Sequence, residues 1–177
     1  MNEYSNLSSF TNELANKYTA MYDVYRDEKL AEFYLPFYAI YRRRDERYMI
    51  SKKIKVYGVE NQQIVFTTLS EDLSTEFIHN FQSTIEEEIL TYIPEDNEHM
   101  STIVLGIVIT NQDVNEKIVK EVRRYRKIKF IKYGLHGWLE IYSVLINLKA
   151  DTIHVHPKGK PFVQSIQKLL KEEEVTK

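Results

Sequence analysis

Ile103-Val104-Leu105-Gly106-Ile107-Val108-Ile109 is the longest apolar run in the chain. It falls far short of the ~20 residues a membrane-spanning helix needs. Polar residues close it on both sides, Ser101 and Thr102 before and Thr110, Asn111 and Gln112 after. A strand with one wet face alternates apolar and polar residues, whereas a strand covered on both faces reads as a continuous apolar run. Ile103 to Ile109 is therefore expected to be the central, most buried strand, and the rest of the chain is read outward from it.

Toward the C-terminus, Asp113-x-x-Glu116 matches a capping box, and Val114, Ile118, Val122 and Tyr125 recur as the inner side of a helix. Ile128 to Tyr133 reads as a strand. Leu139 to Leu148 fits helix or strand. Strand is preferred because Ala150-Asp151 and then Thr152 to His156 look like the turn and return of a hairpin. Pro161 opens a last helix with Phe162, Ile166, Leu169 and Leu170 inward.

Toward the N-terminus, Ser70-Glu71-Asp72 supplies a capping serine and acids for the positive first turn of a helix. Its inner side is Leu73, Phe77, Phe81, Ile85 and Ile89, and Pro94 lies past its end. Phe37 to Arg43, Tyr48 to Tyr57 and Ile64 to Leu69 are β-branched, aromatic and alternating. They read as an antiparallel three-stranded meander with turns at Arg44-Asp45-Glu46 and Glu60-Asn61-Gln62. Leu7, Phe10, Leu14, Tyr18 and Met21 mark an amphipathic first helix capped by Ser8 or Ser9. The expected order is α-β-β-β-α-β-α-β-β-β-α, an α+β fold with a mixed sheet. Glycine and proline are sparse and no linker composition appears, so residues 1–177 read as one globular domain. The tail at 171–177, opening with Lys171-Glu172-Glu173-Glu174, is expected to fray.

Cysteine is absent, which removes disulfides, thiolate metal sites and a cysteine nucleophile. The start, Met1-Asn2-Glu3-Tyr4-Ser5, lacks the basic and apolar regions of a leader peptide. A cytoplasmic protein that avoids the membrane and carries no cofactor is the expectation.

Charge is segregated along the chain. No Lys or Arg occurs between Val56 and Glu116, a stretch that includes Glu71, Asp72, Glu76, Glu86, Glu87, Glu88, Glu95, Asp96 and Glu98. Basic blocks flank it: Arg42, Arg43, Arg44, Arg47, Lys52, Lys53 and Lys55 before, and Lys117, Lys120, Arg123, Arg124, Arg126, Lys127, Lys129 and Lys132 after. A net charge of -2 hides this pattern, which shapes the choice of partner rather than the fold. Two copies could meet with opposite blocks in register, giving a homodimer, or the surface could bind another protein. The competing outcome is that the acidic helix packs on the chain's own basic strands. Aromatics interleave with the cations, as a nucleic-acid surface would use them. Against this, the pI of about 6.2 is low for such domains.

Other constellations are thinner. His154-x-His156 on one strand face could chelate a metal, but no third ligand has the right spacing. Lys158-Gly159-Lys160 ahead of a helix could hold a phosphate, though Pro161 removes a donor and a turn is the simpler reading. Gly134 and Gly137 suggest a tight turn that folds Trp138 over the edge of the core. For an enzyme without a recognisable motif, His99, His136 and Glu140 would be the first candidates.

Two resemblances follow from these residues. Helix, meander, helix, strand is similar in element order to the core of the restriction-endonuclease-like nucleases. That resemblance implies an acid on the second strand and acid-x-Lys on the third, to hold a divalent metal. Tyr48 to Tyr57 has no carboxylate and Ile64 to Leu69 has neither, so the chemistry does not carry over. Glu98-His99-Met100-Ser101-Thr102, Tyr133-Gly134-Leu135-His136-Gly137-Trp138 and Lys158-Gly159-Lys160 resemble a family of uncharacterised small bacterial proteins over most of the chain. This likeness implies a free-standing domain and no particular activity. The expected function is a non-enzymatic interaction domain, with nucleic-acid binding through blocks 42–55 and 117–132 as the alternative.

Overall fold

A computed structural model of the chain describes residues 3–43, 60–93, 99–134 and 137–175. The central element is β4 (His99–Thr110), which lies between β3 (Glu60–Leu69) and β6 (Trp138–Asn147) and runs parallel to both. Val104, Ile107, Val108 and Ile109 are fully buried, as expected of an uninterrupted apolar run. On the far side of β3 lie β2 (Phe33–Arg43) and β1 (Asp23–Leu30), each antiparallel to its neighbour. The outer side of β6 takes β5 (Arg126–Phe130) along its first half and β7 (Thr152–Val155) along its second, both antiparallel. Among the described residues the result is a mixed seven-stranded sheet.

Helices cover both faces. One face carries α1 (Glu3–Tyr18) and α4 (Gln164–Val175), whose Phe10, Leu14, Ile166 and Leu169 pack on Phe37, Val65, Leu105, Ile107 and Val144. The other carries α2 (Thr75–Glu88) and α3 (Glu116–Arg124), whose Ile78, Phe81, Ile85, Ile118 and Val122 pack on Phe66, Val104, Val108 and Ile141. Alternate residues of β4 thus feed two separate cores. Gly106 sits where α2 comes closest: a Cβ there would lie 2.5 Å from Ile85 Cδ1. Gly159 does the same for the short 3₁₀ helix Pro157–Val163, where a Cβ would meet Val155 and Tyr142 at 2.8 and 2.9 Å.

The α+β class, the mixed sheet and the element order match the sequence expectation, but the membership of the meander does not. Its first strand is Asp23-Val24-Tyr25-Arg26-Asp27-Glu28-Lys29-Leu30, turned into β2 through Ala31, which has φ 51°. β1 is a sheet edge exposed along nearly its whole length, so no apolar alternation marks it. Tyr48 to Tyr57, read as the middle strand, lies outside the described residues. Arg43 pairs directly with Asn61, and β2 with β3. β2 carries no carboxylate, and β3 has Glu60 only at its first position and no lysine, so the nuclease acids are missing from the observed strands as well.

Caps also moved. α2 is capped by Ser74, whose hydroxyl accepts from Phe77 N at 3.0 Å, rather than by Ser70, whose backbone N–H bonds Ile109 O across the sheet. Asn115, not Asp113, caps α3 by accepting from Ile118 N. α1 starts before Ser8 and Ser9 and ends at Tyr18, leaving Met21 exposed. Gln164, preceded by the 3₁₀ turn, begins α4, which runs on to Val175; its Glu172 meets Lys17 of α1 at 3.0 Å. No helix among the described residues is long and apolar enough to cross a membrane.

Candidate interaction surface

The β5–β6 edge gathers much of the second basic block, and each face of it is held by carboxylates of the same chain. Alternation sends Lys127 and Lys129 toward α2. There Lys127 Nζ lies 3.1 Å from Glu86 Oε2, and Lys129 Nζ donates to the Glu86 carbonyl oxygen at 3.1 Å. The Tyr125 hydroxyl donates to the same carboxylate at 2.6 Å. Glu86 sits late in α2, where the helix dipole disfavours an acid, and these three groups compensate. Burial alone would push its carboxyl up, but the tyrosine hydroxyl and the two ammonium groups more than reverse this and hold it below the usual range. Burial and the Glu86 charge together push the Tyr125 hydroxyl strongly upward.

The opposite face of β5 carries Arg126, Ile128 and Phe130, in register with Tyr142, Glu140 and Trp138. Arg126 reaches Glu140 Oε2 at 3.2 Å through both Nε and a terminal nitrogen. Tyr142, a buried residue, donates its hydroxyl to Glu140 at 2.6 Å and accepts from Arg126 at 3.2 Å. The Tyr142 hydroxyl, with burial as the main cause, is raised above its ordinary value. Beyond this network the surface turns apolar. Phe130 is 70% exposed, Ile128 40% and Trp138 38%, all on one face. Among the described residues β5 pairs with β6 alone, which leaves its other edge without a strand partner there. Such an arrangement can dock a surface.

A family profile described as a domain of unknown function, DUF8052, matches residues 6–168. The chain belongs to this family. No curated protein and no solved structure matches it.

Within this DUF8052 domain the other residues singled out from the sequence disperse. Arg42 and Arg43 end β2, their backbones paired with Gln62 and Asn61. Arg44, Lys53 and Lys55 lie outside the described residues. Between β2 and β5 the sheet order places β3, β4 and β6, so Arg43 is four strand spacings, or ~19 Å, from the β5 edge. Arg123 and Arg124 occupy the last turn of α3, where the dipole favours cations. Beside them Glu121 takes the His79 imidazole at 3.0 Å.

His154 and His156 do not share a face. β7 ends at Val155, so alternation stops before His156. His154 lies toward Arg123 of α3, and burial with that guanidinium lowers its pKa. The His156 ring stands near Tyr142 on the opposite face, 6.2 Å between centroids, and its Nδ1 accepts from Lys158 N. No group of three or more metal-ligating side chains occurs among the described residues. His99 begins β4, His136 lies outside the described residues, and Glu140 is engaged as above. Sequence reading missed the Ile128–Phe130–Trp138 surface. Its only signal was an aromatic next to a glycine pair, which was read as covering the core.

Proposed function

We propose that this DUF8052 domain is a non-enzymatic interaction module whose binding face is the β5–β6 edge, and that its partner there is a second copy of the chain. The observation that carries this is the coincidence of exposed Phe130, Ile128 and Trp138 with cations already engaged in cis. A two-fold interface presents each patch to itself. A patch of bare lysines would repel its copy, but here Lys127 and Lys129 are held by Glu86, and Arg126 by Glu140. The opposition of charged blocks expected from the sequence therefore gives way to apolar anchoring, with ion pairs serving as the rim. Those engagements also weigh against a nucleic-acid surface, which needs its cations free for phosphate. The absence of cysteine suits the cytoplasm, where thiols are kept reduced and structural disulfides are rare.

Light scattering across a concentration series tests this. A mass approaching twice 21.1 kDa that persists in high salt and falls to one chain in Phe130→Asp supports the apolar two-fold. A single-chain mass at every concentration overturns it. Binding of wild-type protein to mixed-sequence DNA or RNA at low ionic strength, lost in Arg123→Glu/Lys127→Glu, would favour the nucleic-acid alternative.

A further inference from the structure

Charges on the opposite edge of the sheet are arranged differently. Between α1 and the β1–β2 hairpin runs a groove of about 630 Å³. Leu7, Phe37 and Leu69 give it an apolar floor. On the α1 side, Ser8, Asn12 and Asn16 fall on one helical stripe, spaced four residues apart. Arg26 lies against that stripe: its two terminal nitrogens donate to Asn12 Oδ1 at 2.8 Å and Asn16 Oδ1 at 2.6 Å. Two neutral carbonyls thus orient the guanidinium without neutralising it, and among the described residues three of its five N–H donors stay unused. Ser8 and the amide nitrogens of the asparagines add further donors beside it.

The acceptors gather around Asp27. Strand pairing lapses there, opposite Pro36, which has no N–H to offer, and Asp27 adopts φ 54° inside a strand. That conformation is strained for a non-glycine residue and persists only where its surroundings hold it. Its carboxylate takes the Tyr34 hydroxyl, a contact that raises the tyrosine above its ordinary pKa. Thr68 Oγ1 donates to Tyr34 O at 2.9 Å, so the end of β3, and Glu71 just after it, is tied to the same place. Both carboxylates and Arg26 line the groove. Among the described residues Arg26 forms no ion pair with a carboxylate, nor do Asp27 and Glu71 with a cation. Thr67, register partner of Phe37 in the floor, also holds a buried hydroxyl that has no hydrogen-bond partner among the described residues.

A preorganised cation with spare donors, two carboxylates that form no ion pair among the described residues and an apolar floor match a small molecule that carries both charges and a hydrocarbon side chain. From this juxtaposition we propose that the groove binds a zwitterionic α-amino acid with an apolar side chain. Its carboxylate sits on Arg26 with Ser8 and Asn12, its ammonium on Asp27 and Glu71, and its side chain on Leu7, Phe37 and Leu69. The volume is in the range of small-molecule pockets. A lone anion would leave the carboxylates facing it, and a lone cation would face the guanidinium, so both charges are required.

The test is a ¹⁵N NMR titration of the full chain with L-leucine, 4-methylpentanoate, which lacks the ammonium, and 3-methylbutylamine, which lacks the carboxylate. Leucine is expected to give saturable shifts at the amides of Leu7 to Asn16, Arg26 to Phe37 and Glu71. Each half-ligand should bind weaker by roughly tenfold or more. Arg26→Gln and Asp27→Asn should each lose leucine while keeping the wild-type circular dichroism. The proposal is overturned if leucine causes no saturable shift, if 4-methylpentanoate binds as well as leucine, or if the folded Asp27→Asn variant binds as wild type does.

Discussion

The two edges of this sheet solve the same problem in opposite ways. An edge strand exposes unpaired backbone groups and invites pairing with other chains. At β1 the answer is charge and a kink: Asp23, Arg26, Asp27, Glu28 and Lys29 line the strand, and Asp27 breaks its regularity. At β5 the strand is short and regular, its lysines folded back onto Glu86, and its outer surface is apolar. One edge therefore keeps its charges open, and the other keeps its charges closed and its hydrocarbon open. The first suits a small charged ligand, the second a macromolecular face. Exposure of a residue type says little until its partners are known.

Both edges hang on β4, so the largest effect should come from the centre. Val104→Asp would place a carboxylate without a partner between Ile141 and Ile64. A loss of about 4 kcal/mol or more is expected, a large fraction of a domain's stability. Urea unfolding followed at Trp138 and by far-UV circular dichroism should show both signals lost together. If only Trp138 fluorescence changed, the β5–β6 edge would be an independent unit and the comparison would concern two modules.

Next come the closed charges. Glu86→Gln leaves Lys127 and Lys129 without their carboxylate and weakens the bond from Tyr125. A loss of about 1–2 kcal/mol is expected for this half-exposed cluster. Because the folded state holds Glu86 below its ordinary value of 4.5, its contribution is present above that value. It fades as pH falls through the lower folded value. The gap in urea midpoint between wild type and Glu86→Gln should accordingly close in acid. On the other edge Arg26→Gln removes an exposed cation held, among the described residues, by neutral groups, and a change within about 0.5 kcal/mol is expected. Equal losses for the two variants would show that the edges are held alike.

Asp27→Gly addresses the kink directly. Glycine adopts positive φ without the steric penalty of a Cβ, so a gain of about 0.5–1 kcal/mol in unfolding free energy is expected, less whatever the Tyr34 hydrogen bond contributes. If the variant is instead less stable by a similar amount, the carboxylate itself holds the strand in place.

How much of this was legible beforehand follows the same physics. The Ile103–Ile109 run announced β4 because burial on both faces leaves a continuous apolar signature. α2 was legible from Phe81, Ile85 and Ile89 at four-residue spacing. β1 was not, because an edge wet on both faces carries no periodicity, and its eight residues contain five charges. Capping serines and acids were found in the right neighbourhoods and displaced by a few residues, since Ser70 and Ser74 are equivalent until the sheet claims one backbone N–H. The segregation of charge was plain, but its meaning was not. That α2 would bring Glu86 onto Lys127 required knowing that helix and strand share one face.

The smallest effect concerns His154, at the β7 end of the closed edge. Burial, and then the nearby Arg123 guanidinium, lower its pKa below the ordinary 6.5. An imidazole whose folded pKa is depressed binds its proton more readily in the unfolded chain. Its neutral form therefore supports folding at higher pH, and that support is lost as pH drops below about 6.5. Wild type should lose a few tenths of a kcal/mol more than His154→Gln between neutral pH and pH ~5, a size fitting a half-buried ring. Removing the cation separates the two causes. In Arg123→Gln the His154 titration, followed by ¹H–¹⁵N correlation of its ring, should move up toward 6.5 without reaching it, since burial remains the larger cause. A complete return to the ordinary value would mean that the guanidinium alone depresses it, and that this edge is less closed to water than its packing implies.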